Sequence, residues 1–279
     1  MVRALTRTLD GMIVSRRPEG LMLVRQVDHQ DQCADMARAW GNARFSRPEP
    51  FAPLVTAAAL HDEGWRAWEE APRVADGAPV DFPHIDRTTH VELYRSGIAT
   101  AVARDPRAGL LVSMHGNGLY EGRGGLDPGP PTPREDREPT VQAFLAEQDE
   151  VQDGLRRRIG PGPELDAWAW AAYRLLQTWD ALSLYLTWRS LAAGRESVLP
   201  QVPRATGDPG IDLSLSPDGP RACTCDPWPF AGDSLELPVA ARVVEDRPYA
   251  SDADLQGALR QAPWVRSAFT VRPLSPPGT

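Results

Sequence analysis

The spacing of apolar side chains changes twice along this chain, from two short runs near the N-terminus to helical intervals and then to alternation. Near the N-terminus, two apolar runs flank the turn sequence Arg17-Pro18-Glu19-Gly20, which predicts a β-hairpin over 11–25. In residues 51–70 apolar side chains recur at intervals of three and four, as they do along one face of a helix. Helices are also predicted over about 29–40, 88–104, 139–159 and 164–193, and in the segment that Asp105-Pro106 restarts and that leads to residue 115.

After Gly194 apolar and polar residues alternate, which predicts strands at 211–215, 235–239, 241–244 and 269–271 and a short helix near 251–261. We therefore predict a mainly α protein, a helical bundle with a small antiparallel β-sheet formed by the N-terminal hairpin and the C-terminal strands. The predicted division is a helical domain at 1–195 and a small α/β extension packed on it at 196–279. Two roles are open for the extension: shaping a pocket or forming a homodimer contact.

One long connection interrupts the helical part. Residues 121–138 are too rich in glycine and proline for regular structure. A loop of this length inside a domain is typically a functional lid or a disordered segment.

Composition and charge exclude several classes of partner. All thirty basic residues are arginine, and the net charge is −8. Without a basic run, nucleic-acid binding is not expected, because phosphate neutralisation dominates that interaction. The same acidity argues against an anionic membrane surface. No stretch approaches the roughly 20 apolar residues of a membrane span.

The N-terminus and the cysteines favour a cytoplasmic protein. The first fourteen residues contain arginines but lack the apolar region of a secretory signal. Three cysteines make a poor disulfide framework, and the pair Cys223-Thr-Cys225 reads as two free thiols in a loop. A reducing compartment is the natural inference.

The histidines carry the candidate chemistry. Only five occur, and four of them form an ordered series with two aspartates: His29, His61-Asp62, His90, His115 and Asp180. Imidazole and carboxylate ligands together suit first-row metals such as iron, manganese or zinc, and six ligands are enough for two ions. Asp180 stands in an otherwise apolar helix, where a carboxylate is costly unless it is paired or bound to metal.

Two further points concern the arrangement of these ligands. On a helix, the consecutive His61 and Asp62 would point about 100° apart, so that Asp62 could bridge to a second ion. His84 competes with His90 as the third histidine, and His90 is preferred because it opens a helix while His84 lies in a proline-rich loop.

The ordered series resembles that of the HD-domain superfamily of helical metalloproteins, over roughly residues 12–195. Within it the chain is most similar to a bacterial HD-like family with an H-D-x-G-W motif (DUF3891-like), here His61-Asp62-Glu63-Gly64-Trp65. The resemblance implies an HD-like helical bundle with two transition-metal ions, iron preferred and manganese or zinc as alternatives. It assigns His29, His61, Asp62 and Asp180 to the first ion, and the bridging Asp62 with His90 and His115 to the second.

The resemblance leaves three functions open. A mixed-valent di-iron oxygenase would oxidise a small organic or phosphonate-like substrate with O₂, and it is slightly preferred because Trp65 stands where many HD hydrolases have a lysine. A metal-dependent phosphohydrolase would act on a nucleotide or small phosphoester. A metal-stabilised binding module would have no turnover. Beyond the ligands, the predicted catalytic residues are Asp62, Arg66 and Arg87, and the predicted substrate-binding residues are Trp65 and Arg95.

Overall fold

The N-terminal hairpin predicted at 11–25 is present as β1 (Ile13–Arg17) and β2 (Gly20–Val24). The structure is a computed structural model of the chain, and it describes residues 12–123, 132–188 and 191–274. Gly20 adopts φ +136°, and a Cβ there would clash with the backbone oxygen of Val244. This glycine therefore permits the close approach of the hairpin to the next strand of the sheet.

The hairpin is one edge of a large mixed sheet. The other strands are β5 (Ser197–Val202), β6 (Ile211–Pro217), β7 (Ala222–Asp226), β8 (Leu235–Val244) and β9 (Trp264–Pro273). The order is β1-β2-β8-β9-β7-β6-β5, and every neighbouring pair is antiparallel except β7 and β9, which are parallel.

This sheet corrects the predicted fold class. A mainly α, HD-domain-like helical bundle with a small antiparallel sheet is wrong, because seven strands form one curled, mixed sheet that is a full layer of the molecule. The sequence pattern missed β5 and β7 and divided β8 into two strands. The division into 1–195 and 196–279 stays a prediction, although the hairpin and the strands after 195 share the sheet.

Seven α-helices accompany the sheet in the described ranges. They are α1 (Gln26–Ala39), α2 (Ala52–Ala58), α3 (Arg87–Arg104), α4 (Pro106–Tyr120), α5 (Pro139–Ile159), α6 (Pro163–Thr187) and α7 (Asp252–Gln261). Asp86 caps α3 and Asp105 caps α4, each by accepting hydrogen bonds from the first backbone amides of its helix. A two-stranded ribbon, β3 (Val74–Ala75) and β4 (Ala78–Pro79), lies between α2 and α3.

The helix predicted over 51–70 ends early. After α2 stops at Ala58, the chain continues through a turn and two short 3-10 segments, Glu63–Trp65 and Trp68–Glu70. His61 and Asp62 therefore lie in a turn rather than on a helix, so the helical divergence of their side chains was a wrong expectation.

Helices α1 and α6 form the layer between the sheet and helices α2 to α5, whereas α7 packs directly on β8. They pack on each other, α1 also contacts β8, and α6 also contacts β5. The aromatic rings of Trp40, Trp179 and Phe230 meet edge to face at this junction, with centroids 5.5 and 5.7 Å apart. On the far side, α4 packs on α2, α3, α5 and α6.

The beginning of α1 is held by a distant carboxyl group. Buried Glu69 accepts a hydrogen bond from the amide of Gln26 at 2.5 Å, and no side chain adjacent to the helix start does so. Burial raises the pKa of Glu69 to about 8. The contact ties the 3-10 segment after Asp62 to the helix that carries His29.

Two sequence expectations fall outside what the structure describes. The N-terminal eleven residues and residues 124–131 of the loop predicted at 121–138 lie outside the described ranges. Within those ranges, none of the helices combines the length and apolar character needed to cross a membrane.

Candidate metal centre

Four parts of the chain bring five of the six predicted ligands into one buried cluster. His29 comes from α1, His61 and Asp62 from the turn after α2, His115 from α4 and Asp180 from α6. Each of these residues is at most 5% exposed. We call these five residues the His/Asp cluster.

The donor atoms of the His/Asp cluster lie at ligand-like separations. Nε2 of His29 is 3.0 Å from Oδ1 of Asp180 and 3.9 Å from Oδ2 of Asp62. Nε2 of His61 is 3.4 Å from Oδ2 of Asp62 and 3.9 Å from Oδ1 of Asp180. Donors bound to one ion at about 2.0–2.2 Å lie roughly 3–3.5 Å from each other. Two imidazole nitrogens and two carboxylate oxygens thus surround a common point.

The tautomers of the two imidazoles follow from their other ring nitrogens. Nδ1 of His61 donates to the backbone oxygen of Ala58 at 2.9 Å, which leaves Nε2 as a bare lone pair without a hydrogen-bond partner among the described residues. Nδ1 of His29 lies 2.7 Å from Oγ of Ser183, whose hydroxyl proton goes to Oε1 of Gln32. The serine oxygen must therefore accept from His29, so Nε2 is the nitrogen of His29 that faces the carboxylates, and it is hydrogen-bonded to Oδ1 of Asp180 at 3.0 Å.

His115 completes one side of the cluster. Its ring centroid is 5.1 Å from that of His61, and donor atoms of His61, Asp62 and His115 all lie within 4.8 Å of one another. Its Nδ1 is buried without a hydrogen-bond partner in the described part of the chain. Burial lowers the pKa of His115 to about 4, so the ring is neutral at pH 7, the form that binds metals.

The cluster attracts positive charge. Burial works against ionisation of Asp180, but the hydrogen bond with His29 and the charges of the neighbouring histidines together outweigh it and hold the pKa of Asp180 at about 2. Burial likewise acts to lower the pKa of His29, yet Cys33 and Asp180 beside it raise that pKa well above its ordinary value. A cation in this position is therefore stabilised by buried carboxylate.

The sixth predicted ligand, His90, stands apart from these donors. It is half-buried on α3, its ring lies 4.9 Å from that of Tyr94, and its Nδ1 is hydrogen-bonded to the hydroxyl of Tyr120. Burial lowers the pKa of His90 to about 3. It belongs to neither group of donors within 4.8 Å of one another in the described ranges. His84 is exposed in the 3-10 segment Phe82–His84.

Sequence reasoning missed two residues of the site. The hydroxyl of Tyr94 donates to Oδ1 of Asp62 at 2.9 Å, and Sγ of Cys33 lies 3.8 Å from Nε2 of His29. Cys33, His29 and His61 form a second group of donors within 4.8 Å. A signal for Cys33 was available, because His29 and Cys33 are four residues apart on a predicted helix and so share its face.

The other predicted site residues are spread around the cluster. Trp65 is buried, with its ring 5.7 Å from that of His90. Arg66 is half-exposed and pairs with Glu63 at 2.6 Å, and Arg95 pairs with two glutamates on the surface. Arg87 is exposed at the start of α3, where its charge contributes to the low pKa of His90. The catalytic and substrate-binding roles of these residues stay predictions.

The chemistry of the cluster fits a metal ion. Buried histidine, cysteine and aspartate donors converge, and two of the imidazole nitrogens have no hydrogen-bond partner among the described residues. A mixed nitrogen, oxygen and sulfur set does not by itself select one transition metal.

Comparison with known proteins gives one match. The model of a family described as "Protein of unknown function (DUF3891)" matches residues 12–246, which include every residue of the His/Asp cluster. The curated proteins give no match. The solved structures give none either.

Proposed function

The chain belongs to the DUF3891 family, and we propose that it is a metal-dependent enzyme that acts on a small anionic molecule. The order of the donors along the chain also supports our proposal of a relationship to the HD-domain superfamily. Three unpaired, buried cysteines suit a reducing compartment, as expected for a cytoplasmic protein.

One observation carries this proposal. Nε2 of His29 and Nε2 of His61 both face the carboxylates of Asp62 and Asp180, while the Nδ1 atoms are held by Ser183 and the backbone of Ala58. Metal-binding histidines typically donate their second nitrogen to such a partner, which fixes the tautomer and the ring orientation. Packing alone gives no reason for two imidazole nitrogens to converge on two buried carboxylates.

His29, His61, Asp62 and Asp180 would hold the ion, with His115 beside them. A transition-metal ion supplies Lewis acidity to such a site. The chain itself supplies orientation: Tyr94 holds Asp62, and Gln32 and Ser183 hold His29. The burial of all five cluster residues excludes bulk water, which strengthens every electrostatic interaction in the site.

The arrangement supports hydrolysis of a small phosphoester better than di-iron oxygenation. A second ion would need Oδ1 of Asp62, which accepts from Tyr94, and a nitrogen of His90, which belongs to neither group of donors within 4.8 Å of one another in the described ranges. A single ion held by His29, His61, Asp62 and Asp180 needs neither of these two donors. The oxygenase is retained as a second candidate because Trp65, Tyr94 and Tyr120 surround His90 with aromatic rings suited to an organic substrate. A binding module without turnover would use the same donors.

Metal content tests the centre itself. We expect Asp180→Ala to lose bound metal, measured by elemental analysis of protein purified anaerobically. Asp166→Ala is the matched control, since Asp166 is an exposed carboxylate on the same helix and should leave the metal content unchanged. Equal metal content in Asp180→Ala and the native protein would refute the proposed centre.

Turnover then separates the reaction classes. Manganese-stimulated release of nitrophenol from nitrophenyl phosphate, unchanged without O₂, together with one ion per chain would support the hydrolase. Two irons per chain and O₂ consumption with an organic phosphonate would overturn it in favour of the oxygenase. A metal-loaded protein that is inert in both assays would indicate the binding module.

A further inference from the structure

A small pocket opens beside the C-terminal end of α4, between α6 and the edge strand β5. Its volume is about 190 Å³. The residues that matter to its chemistry are Gly122, Arg123, Trp170, Arg174 and Gln177. We call it the arginine pocket.

The arginine pocket is positively charged. Arg174 is half-buried and donates to Oε1 of Gln177 at 2.7 Å and to the backbone oxygen of Pro200 at 2.6 Å, with no carboxylate partner in the described part of the chain. Burial lowers the pKa of Arg174, and the nearby charge of Arg123 lowers it further. Arg123 shares one carboxylate, that of Glu121, with another arginine. Because that other arginine, Arg134, also pairs with Asp149, two guanidinium groups face the pocket with one compensating carboxylate, that of Glu121, between them.

A buried hydrogen-bond donor lines the same place. Gln177 is 5% exposed, and because its Oε1 accepts from Arg174, its Nε2 is left as a donor with no partner among the described residues. The hydroxyl of Tyr173 is buried behind the lining residues, beside Arg123 and Gln177. Both groups face Gly118 on α4, where a Cβ would clash with the tyrosine oxygen. A buried polar atom without a partner is costly, which a ligand that accepts hydrogen bonds would relieve.

The arginine pocket is next to the His/Asp cluster on two helices. Gln177 precedes Asp180 by three residues on α6, and Gly118 follows His115 by three residues on α4. Three residues correspond to about 4.5 Å along a helix axis, and residues three apart share a face. Because α4 and α6 pack on each other, the pocket and the cluster occupy successive turns of the same helix pair.

We propose that the arginine pocket binds the oxyanion head group, a carboxylate or a phosphate, of the molecule on which the metal centre acts. The part of this inference that concerns the substrate rests on the proposed function; the binding of an oxyanion does not. Guanidinium groups match the planar, paired oxygens of such anions. The volume is below that of a site for a whole drug-sized ligand, so it suits a head group.

Trp170 gives the pocket a second property. Its side chain is 50% exposed at the pocket, which is unusual for so large an apolar surface. An indole ring in this position can pack on an aromatic or aliphatic part next to the anion. The expected ligand is therefore an organic anion rather than a bare inorganic one.

Titration calorimetry on metal-free protein tests the oxyanion site directly. Native protein is stripped with EDTA, dialysed and titrated with inorganic phosphate, phenyl phosphate, benzoate and neutral benzamide. We expect the anions to bind and benzamide not to bind. Arg174→Met should weaken phosphate binding at least tenfold, whereas Arg158→Met, which removes an exposed arginine at the end of α5, should not change it.

Two more variants keep the test decisive if Arg174→Met folds poorly. Arg123→Gln removes an exposed charge and should weaken phosphate binding severalfold, and Trp170→Ala should weaken phenyl phosphate but not inorganic phosphate. Stronger binding of phosphate than benzoate, or the reverse, identifies the head group. Absence of binding to native protein, or equal affinity in native protein, Arg174→Met and Arg123→Gln, would overturn the proposal.

The metal content of the same preparations separates the two proposals. If native protein carries no metal but binds phosphate through Arg174, the proposed function fails and the oxyanion site stands. If Arg174→Met keeps its metal and loses phosphate binding, both proposals stand. The arginine pocket then binds the ligand and does not take part in metal binding.

Discussion

At the scale of single residues, the side chains around the ligands define the site as much as the ligands do. Gln32 donates to the backbone oxygen of Leu237 and accepts from Ser183, so its amide orientation is fixed at both ends. Ser183 can then only accept from His29. A chain of hydrogen bonds that starts on β8 thus decides which nitrogen of His29 faces the carboxylates, and the sheet takes part in preparing the site.

Tyr94 has a comparable role for Asp62. In Tyr94→Phe the ring remains while the hydrogen bond to Oδ1 of Asp62 is lost, so the carboxylate is less well oriented. We expect metal affinity to fall by about 10- to 100-fold, the usual effect of removing a partner of a metal ligand. Competition with a chelator of known affinity measures this.

A matched control separates this effect from loss of a buried hydroxyl. Tyr249 is equally buried and donates to the backbone oxygen of Glu245 in a separate apolar cluster. Tyr249→Phe should leave metal affinity unchanged. Native affinity in Tyr94→Phe would mean that Asp62 needs no help from the phenol.

At the scale of elements, the turn that carries His61 and Asp62 is shaped by close packing on α3. A Cβ on Gly64 would clash with the backbone oxygen of Leu93 and lie 3.0 Å from the amide nitrogen of Gly97. Two glycines therefore allow the turn and the helix to touch backbone to backbone. This backbone contact explains why the motif His61-Asp62-Glu63-Gly64 ends in glycine. The same contact keeps Asp62 near Tyr94.

Gly64→Ala should destabilise the protein. Because the obstacle is backbone, the turn must move away from α3, and we expect a loss of about 1–3 kcal/mol in the free energy of unfolding. Metal affinity should fall with it, since His61 and Asp62 move together with the turn. Urea denaturation and chelator competition on the same preparations measure the two effects.

The control for this substitution is a glycine in an open helical position. A Cβ on Gly154 in α5 would meet only the end of the Arg157 side chain, at 3.8 Å. Gly154→Ala should stabilise the helix by about 0.5–1 kcal/mol, because alanine loses less backbone entropy. Destabilisation by Gly154→Ala, or none by Gly64→Ala, would contradict this explanation of the motif.

The same elements show what sequence could predict about the fold. Six of the predicted helices, α1 and α3 to α7, and the N-terminal hairpin have local periodic or turn signals, and they are present. Strand β5 carries Pro200, which is tolerated because β5 is the edge of the sheet. Strand β8 carries Pro238, at a level where β2 does not pair with it. Such positions depend on neighbours that are distant in sequence, so local alternation missed β5 and did not show that 235–244 is one strand.

The candidate site was more predictable than the fold. Residue type and order identified His29, His61, Asp62, His115 and Asp180, which the structure brings together, because few other side chains have nitrogen or carboxylate donors in apolar surroundings. The distance of His90 from the cluster could not be read from sequence. It depends on the path of α3 past Tyr94, which is set by tertiary packing.

At the scale of the whole molecule, both ends of the described chain meet in one sheet. Strand β2 pairs with β8, so residues near 21–23 and 242–244 lie side by side. The cluster draws on α1, the turn after α2, α4 and α6, which together span the middle layer and the outer helices. An ion bound there would connect parts of the chain that are more than 150 residues apart.

Metal removal should therefore lower the stability of the whole chain in a single transition. An ion that binds only the folded protein stabilises it by about 2.7 kcal/mol when free metal is 100 times the Kd. For a chain of this size that corresponds to a rise in Tm of roughly 5–10 °C. Calorimetric scans of EDTA-treated and metal-loaded native protein measure the shift, and Asp180→Ala is the control that should show none. A second, metal-independent transition in the native protein would mean that part of the chain folds independently of the site. An equal rise in Tm for Asp180→Ala would mean that the stabilising ion binds elsewhere.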